Sequence, residues 1–425
     1  MKGLNFKLAY TLLSVALILT NGCSSGTTST VTKDSSSDVA YAALSTEPVS
    51  EPVAEHALAE KLAFASLHSP NKVMPFNGRV VKSNESKDIN GDSYYGVTVL
   101  YGTNRASIKN VGFGGGISDS MSYGSETVLI PKNRKRGEFR DKDSFFHKLK
   151  LIFNGDEEST GFIKLDSGKS EVLSEDQLLK KLSSQNSIAY GDILIFVHGF
   201  NVGFYEAVKR TGQVVYDLDL NVQPVLFSWP SQADPTKYGP DNRLAGESVR
   251  AFREFVQRIS MTSKGRKIHV LAHSMGSQIV IPVMAELYSK NPVKFNKKFG
   301  NIILAAPDFD RDYFRREYSP SFENYGKATI YMSSDDRALS ISSSSHLNDG
   351  QRLGFSGKEG FASPKIDAVD ITQAVGIDDM LGHSRYGNSS RVLNDMHYLI
   401  GSALRANQRF GIDLNDNPTY WILTP

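Results

Sequence analysis

Apolar runs of five or six residues recur from residue 192 onward, and segments with helical periodicity separate them. The runs are rich in Ile, Val and Leu and lie at residues 192–197, 224–229, 267–272, 301–306, 328–332 and 368–372. Because such runs are apolar on both faces, they predict parallel strands that are covered by helices on both sides. The alternation therefore predicts an α/β fold with an open, doubly wound, mostly parallel sheet, whose ligands bind at the carboxyl ends of the strands.

Short strand patterns also precede this series. Apolar runs at residues 96–101, 126–130 and 148–153 alternate with clusters of Gly, Asn and Ser, which predicts a strand-rich region. The glycine-rich stretch at 112–116 lacks the GxGxxG spacing of a phosphate-binding loop and predicts a mobile loop. Farther upstream, residues 52–68 begin with proline and contain few helix breakers, so they predict an amphipathic helix.

The N-terminus has the pattern of an export signal. Lys2 and Lys7 precede an apolar run over residues 8–19, which is shorter than the ~20 residues of a membrane span. Residues 20–23, TNGC, resemble the lipobox of bacterial lipoproteins, in which the cysteine is acylated after cleavage. The resemblance implies an exported protein that is lipidated at Cys23, and Ser24 after the cysteine implies the outer membrane, facing the periplasm. The Ser- and Thr-rich residues that follow predict a flexible tether between this anchor and the body.

These patterns divide the chain into six segments. We expect a signal peptide at 1–22, a lipidated tether at 23–50, a helical extension and linker at 51–93, a strand-rich N-terminal region at 94–190, the α/β core at 191–410 and a C-terminal tail at 411–425. The core is long enough to bury a large apolar interior by itself.

Charge and cysteine content exclude several classes of protein. The 425 residues include 48 Lys and Arg against 46 Asp and Glu, and the excess equals the two lysines of the export signal. A neutral body has no long-range attraction for nucleic acid, so we expect no nucleic-acid partner. Because Cys23 is the only cysteine, an internal disulfide and a thiolate metal site are excluded.

The clearest chemical motif follows the third apolar run of the core. Residues 272–276, AHSMG, stand between that predicted strand and the helical pattern at 278–290. Small residues two before and two after a serine are what a nucleophile elbow requires, because its sharp strand-to-helix turn brings those backbone positions close together. We therefore expect Ser274 to be a nucleophile; the alternative is a serine that only caps the helix.

A serine needs a base to accept its proton, and in this class of fold the base lies far downstream of the serine. Three histidines follow Ser274, namely His346, His383 and His397. His383 lies in a loop after the last predicted strand, whereas His397 falls within a helical pattern and His346 in a Ser-rich loop without a strand directly before it. The position favours His383 as the base.

The orienting acid is expected after a strand that lies between the serine and the base in the chain. Asp335 and Asp336 follow the run at 328–332 after two serines, and Asp308 and Asp310 follow the run before it. We expect Asp336 to be the acid, with Asp335 and Asp308 as the main alternatives.

An oxyanion hole needs two backbone N–H groups, one after the nucleophile and one from the loop that follows an earlier strand. Met275 supplies the first position, and Phe200, in the sequence HGFN after the run at 192–197, supplies the second. His198 in the same loop has no accompanying metal-ligand motif, so we expect it to brace the loop.

At these residues the chain resembles the α/β-hydrolase superfamily, and within it the bacterial alpha/beta hydrolase family of unknown function (DUF900). The matching stretches are YGTNR at 101–105, FVHGFN at 196–201, FSWPS at 227–231, LAHSMG at 271–276, LAAPDFD at 304–310, SSDDRAL at 333–339 and GHSRY at 382–386. The resemblance implies an α/β-hydrolase-like fold, a hydrolase activity and a triad of Ser274, Asp336 and His383.

The combined prediction is a serine hydrolase that cleaves carboxylic esters through an acyl-enzyme intermediate, without a metal or an organic cofactor. Two alternatives stay open: a catalytically silent envelope interaction module with this fold, and an acyltransferase that uses the same triad. Tyr238, Asp241 and Asn242 either line the entrance to the site or belong to a turn. The long loop at 342–363 is either a lid or a surface loop, and the sequence does not identify a protein partner.

Overall fold

One mixed sheet organises the described part of the chain. The computed structural model describes residues 83–87, 93–109, 111–139, 141, 162–184, 191–339, 351–358, 360–374, 383–416 and 419–424. Within these residues the sheet has thirteen strands. They are β1 (Ser83–Lys87), β2 (Ser93–Ile108), β3 (Gly112–Pro131), β4 (Lys164–Leu165), β5 (Glu171–Leu173), β6 (Ile193–Val197), β7 (Gln223–Ser228), β8 (Ile268–His273), β9 (Phe299–Ala305), β10 (Ala328–Met332), β11 (Asp367–Asp370), β12 (Ile412–Asp416) and β13 (Thr419–Leu423).

Helices connect the strands of the core and cover both faces of the sheet. They are α1 (Glu175–Ser183), α2 (Phe204–Leu218), α3 (Tyr238–Thr262), α4 (Gly276–Lys290), α5 (Pro292–Lys298), α6 (Arg311–Tyr313), α7 (Ser319–Tyr325), α8 (Arg385–Asn388) and α9 (Ser390–Ser402), with a π-helical turn at Phe314–Tyr318 between α6 and α7. Among the helices of the described residues, none combines the length and apolarity that crossing a bilayer requires.

The strand order creates a switch point in the middle of the sheet. The order is β12-β13-β11-β10-β9-β8-β6-β7-β2-β3-β4, with β1 paired to β2 and β5 paired to β3. Neighbours from β13 to β2 are parallel, whereas antiparallel hairpins lie at both ends. The chain moves outward from β6 to β7 and then returns to the other side of β6 with β8. Sites in doubly wound sheets form at such a reversal, so it marks where chemistry is expected.

Alternate residues of the central strands point into two separate cores. In β6, Ile193, Ile195 and Val197 pack with residues of α3 and α4, whereas Leu194 and Phe196 pack with residues of α2 and α9. All five residues of β6 are buried. The apolar runs of the core sequence are therefore buried strands with helices on both faces, and the predicted fold class is confirmed.

The structure adds strands that the sequence patterns did not predict. The glycine-rich stretch at 112–116, predicted as a mobile loop, forms the beginning of β3, where Gly112 pairs with Ile108 and Phe113 with Ser107 of β2. Residues predicted as a C-terminal tail form β12 and β13, and Trp421 pairs with Val369 of β11. These residues are extended because they pair with β2 and β11, and the local β propensity of their sequence does not indicate such pairing.

Several sequence predictions fall on parts of the chain that the structure does not describe. The signal peptide, Cys23, the tether and the helix at 52–68 lie outside the described residues, as does the strand predicted at 148–153. These remain predictions.

Candidate active site

The loops that carry the predicted site residues emerge at one edge of the sheet. The register places Ala272 of β8 beside Val197 of β6, and His273 of β8 beside Ala305 of β9. Because these strands are parallel, the loops after β6, β8 and β9 begin at similar heights. The segments after β10 and β11 begin at the same edge and carry Asp336 and His383.

Ser274 occupies a sharp turn between β8 and α4. Its φ of 51° is in the left-handed region, which costs a residue with a side chain of order 1–3 kcal/mol. The surrounding backbone fixes this conformation, because the Ser274 N–H donates to Ala305 O at 3.0 Å and the Asp308 N–H donates to Ser274 O at 3.2 Å. A side chain at Gly276 would approach His198 O to 2.6 Å, so only glycine fits there. The turn has the features of a nucleophile elbow.

His383 and Asp336 form a hydrogen-bonded pair at the same edge. His383 Nδ1 lies 2.7 Å from Asp336 Oδ2, and the Asp336 side chain is fully buried while that of His383 is 14% exposed. The other carboxylate oxygen, Oδ1, accepts the Leu339 N–H at 3.0 Å. With Nδ1 directed at the carboxylate, Nε2 is the ring nitrogen that can act on a serine hydroxyl.

His273, the residue before the serine, ties the His383 loop to the elbow. Its Nε2 lies 3.1 Å from His383 O, and the two imidazole rings are 4.7 Å apart between centroids. Burial and the neighbouring His383 lower the pKa of His273 well below its ordinary value, so the ring is neutral and its Nε2–H donates to the carbonyl. In the described residues the Ser274 hydroxyl has no hydrogen-bond partner, and the serine-to-base bond of such sites commonly tightens only with substrate.

The structure separates the two adjacent carboxylates. Asp335 points to Arg385, whose two Nη atoms lie 2.5 and 2.8 Å from its two oxygens. These hydrogen bonds hold the pKa of Asp335 below its ordinary value, and its side chain is 54% exposed. Asp335 therefore orients the segment after His383 and does not contact the imidazole, whereas Asp336 does.

Asp308, the other alternative acid, contacts Tyr238 and Arg352. Its carboxylate accepts the Tyr238 hydroxyl at 2.7 Å and lies 3.2 Å from Arg352 Nε. Tyr238 also packs edge-on against Phe200, with 5.4 Å between the ring centroids. Asp308 thus belongs to a buried cluster beside the serine and does not support the base.

The remaining candidates have other places in the fold. Asp310 caps α6 by accepting the Tyr313 N–H at 2.6 Å, and His397 of α9 lies 2.7 Å from Leu218 O. His346 lies outside the described residues.

The described part of the loop predicted at 342–363 is packed. Leu353 donates its N–H to Phe309 O at 2.8 Å, and the Ser333 N–H donates to Gly354 O at 2.9 Å. These bonds join residues 351–354 to the segments after β9 and β10. Residues 351–354 are therefore hydrogen-bonded to the carboxyl edge of the sheet. Residues 342–350 of the predicted loop lie outside the described residues.

The loop after β6 lies directly against the serine. A Cβ at Gly199 would be 2.9 Å from both Ser274 Cβ and His273 Nδ1, so glycine is required for this close approach. Neither the Phe200 N–H nor the Met275 N–H has a hydrogen-bond partner among the residues that the structure describes. Two unpaired N–H groups on the two segments that flank a serine suit an oxyanion.

Asp241 holds the far end of this loop. It is fully buried at the start of α3, and its carboxylate accepts the Ser231 hydroxyl at 2.6 Å, the Gln232 N–H at 3.0 Å and the Asn201 N–H. Burial raises the pKa of Asp241, and these donors oppose the rise. Asn201 has a φ of 57°, and the bond from its N–H to Asp241 helps to hold that conformation. Asp241 therefore stabilises the loop beside the serine. From the sequence it could either line the entrance to the site or belong to a turn.

Two further residues, Arg105 and His273, have no role in the sequence prediction. The buried guanidinium of Arg105 contacts the loop after β6, as described below, and His273 positions the His383 loop. Both fall within stretches that resemble the family, YGTNR and LAHSMG, and this resemblance is the signal that marks them. Among the described residues, no group of three or more His, Cys, Asp or Glu side chains lies together in a way that could hold a metal ion.

Comparisons with known proteins match more than half of the chain to one family. The family model described as "Alpha/beta hydrolase of unknown function (DUF900)" matches residues 171–403, which include Ser274, Asp336 and His383. The uncharacterized protein alr1448 of Nostoc sp. (strain PCC 7120) is 25% identical over 155 residues, which cover 30% of this chain and 40% of that protein. A crystal structure of a predicted CIB-like hydrolase from Thermoplasma acidophilum matches 47% of this chain and 79% of its own, with 12% identity and a TM-score of 0.22.

Proposed function

The chain belongs to the alpha/beta hydrolase family of unknown function (DUF900), and we propose that within this fold Ser274, His383 and Asp336 form the triad of a serine hydrolase that cleaves carboxylic esters. The observation that carries the proposal is the buried Asp336–His383 pair at 2.7 Å, because it lies at the same sheet edge as a strained serine turn. A buried carboxylate on Nδ1 of a histidine fixes the tautomer that a general base requires.

In the proposed reaction the Ser274 hydroxyl attacks the ester carbonyl carbon while His383 Nε2 accepts its proton. The carbonyl oxygen gains negative charge, and the N–H groups of Phe200 and Met275 stabilise it in the tetrahedral intermediate. His383 then returns the proton to the leaving alcohol, and the acyl group stays on Ser274. Water, deprotonated by the same imidazole, attacks the acyl carbon; the bond to Ser274 Oγ breaks, His383 returns the proton to Ser274 Oγ, and the carboxylic acid is released.

The test is covalent labelling of the purified protein with a fluorophosphonate, combined with hydrolysis of a short-chain p-nitrophenyl ester. We expect one phosphonyl group per chain on Ser274, and loss of both labelling and turnover in Ser274→Ala. Ser277→Ala is the matched control, because Ser277 is a fully buried serine at the start of α4, the helix that follows the elbow, and its hydroxyl has no partner among the described residues. That variant should keep both activities. A folded wild-type protein that is neither labelled nor active on esters would contradict the proposal and favour the silent interaction module.

A further inference from the structure

Arg105 is a fully buried cation at the edge where the proposed site lies. It lies in β2, two residues after Thr103, which pairs with Ser228 of β7, and only 1% of it is exposed. Moving such a charge out of water costs several kcal/mol unless hydrogen bonds compensate. Burial accordingly lowers the pKa of Arg105, while Asp241 opposes the shift through space.

All five N–H donors of the Arg105 guanidinium have acceptors, three of which lie on the loops after β6 and β7, and the other two are Ser228 of β7 and Gly114 of β3. Nε donates to Ser228 Oγ at 2.8 Å, Nη1 to Gly114 O at 3.0 Å and Ser231 O at 2.7 Å, and Nη2 to Val202 O at 2.8 Å and His198 Nε2 at 3.3 Å. None of these acceptors is a carboxylate. A planar group with five donors can satisfy this arrangement, whereas the ammonium of lysine, with three, cannot.

The contact with His198 fixes the first residue of the loop at 198–202. Because Nε2 of His198 accepts from Arg105, its proton is on Nδ1, which donates to Gly199 O at 2.9 Å. Burial and the charge of Arg105 lower the pKa of His198 to about 3, so the ring is neutral at physiological pH. Trp229 stacks on this ring with 5.2 Å between centroids, and its indole N–H donates to His198 O at 2.7 Å.

The contacts with Val202 and Ser231 fix the other end of the loop. Arg105 holds the Val202 carbonyl directly, while the Val202 N–H donates to Ser231 Oγ at 3.1 Å. One side chain thus binds both ends of a five-residue loop, and the unpaired Phe200 N–H lies between these two fixed points.

We propose that Arg105 is a positioning residue that holds the loop at 198–202 in the conformation that directs the Phe200 N–H to the oxyanion. The inference rests on the proposed function and adds a residue that lies outside the triad. An oxyanion donor stabilises the transition state more than the bound substrate, so its displacement lowers kcat and leaves KM nearly unchanged.

The experiment compares Arg105→Lys with Arg409→Lys in the full chain. Both arginines are fully buried, but Arg409 lies beside Asp395 and near Asp367, the first residue of β11, away from the carboxyl edge. Both changes keep the positive charge and lose the fork of donors, so both are expected to lower stability. Because removal of one oxyanion donor costs roughly 10²–10³ in kcat, we expect Arg105→Lys to lose at least about tenfold in kcat, with KM within about threefold of wild type. Arg409→Lys should keep the wild-type kcat.

A second readout is the rate of fluorophosphonate labelling, which should fall in Arg105→Lys by a factor similar to that in kcat, because the phosphonyl oxygen takes the oxyanion position. If Arg105→Lys does not fold, Ser228→Ala is the milder test, since it removes one acceptor of the guanidinium, together with the 3.2 Å contact between Ser228 Oγ and His198 Nε2, and should lower kcat severalfold. Equal kcat values in Arg105→Lys and Arg409→Lys, or an effect confined to KM, would overturn the inference and leave the proposed function intact. A wild-type protein that is not labelled at Ser274 would instead overturn the proposed function, and the role of Arg105 with it.

Discussion

Replacement of Asp336 by asparagine should remove nearly all ester turnover without changing the shape of the site. The side chain is fully buried, and among the described residues its carboxylate accepts the Leu339 N–H on Oδ1 and lies against His383 Nδ1 on Oδ2. An amide has one acceptor oxygen, and the rigid backbone N–H of Leu339 takes it. The amide NH₂ then faces His383 Nδ1, which must become an acceptor, so the proton moves to Nε2. An imidazole with its proton on Nε2 cannot accept the proton of Ser274.

The size of the effect follows from this wrong tautomer. The same change in the triad of a well-studied serine protease lowers kcat by about 10⁴, which corresponds to about 5.4 kcal/mol of transition-state stabilisation at 1.36 kcal/mol per tenfold. Asparagine has the shape of aspartate, so we expect KM and the overall fold to change little.

Initial rates with a p-nitrophenyl ester, together with circular dichroism of each variant, measure this effect. Asp335→Asn is the matched control, because it changes the neighbouring residue in the same way. Asp335 is 54% exposed and does not contact the imidazole, and the amide oxygen of asparagine can still accept one N–H of Arg385, so this change should lower kcat only severalfold. If Asp335→Asn lowers kcat as much as Asp336→Asn or more, the assignment of the acid is wrong.

Two further predictions concern the loop after β6. Gly199→Ala should lower kcat by more than about tenfold in a folded protein. The new Cβ would lie 2.9 Å from both Ser274 Cβ and His273 Nδ1 and would push the loop at 198–202 away from the serine. A wild-type kcat in this variant would show that the loop does not need this close approach. His198 has a pKa of about 3 in the folded protein and about 6.5 when unfolded, so below pH 6.5 only the unfolded chain takes up its proton. The free energy of unfolding should therefore decrease as pH falls from 6.5 towards 3, by at most about 1.4 kcal/mol per pH unit from this group. Urea titrations at several pH values should show a shallower slope in His198→Asn than in wild type, and equal slopes would refute the assignment.

The sequence predicted the central part of the fold well, for a physical reason. Five-residue runs such as 328–332 are buried on both faces, so their apolar pattern is almost continuous. The boundaries of such a strand can therefore be read where the apolar run stops. The loops that follow parallel strands must meet at one edge, and chain order alone then places His383 and Asp336 near Ser274. The choice between Asp335 and Asp336 needed the structure, because side-chain direction in a loop has no periodic signature.

The supports of the site could not be predicted in the same way. Arg105 reaches His198 and Ser231 across 93 and 126 residues of sequence, and hydrogen bonds between such distant segments leave no local pattern. The glycine-rich stretch at 112–116 was misjudged for a related reason, since its extended form depends on pairing with β2.

The position of Arg105 also bears on how much of the chain the proposed activity requires. The family match starts at residue 171, yet Arg105 belongs to a hairpin over residues 93–131 that adds to the sheet through the pairing of β2 with β7. A fragment cut at the family boundary would retain every group of the proposed triad, but it would leave Val202 O and Ser231 O without their buried cation. In this protein the hairpin is thus an integral part of the proposed catalytic unit, and the smallest fragment worth testing for turnover begins upstream of β2.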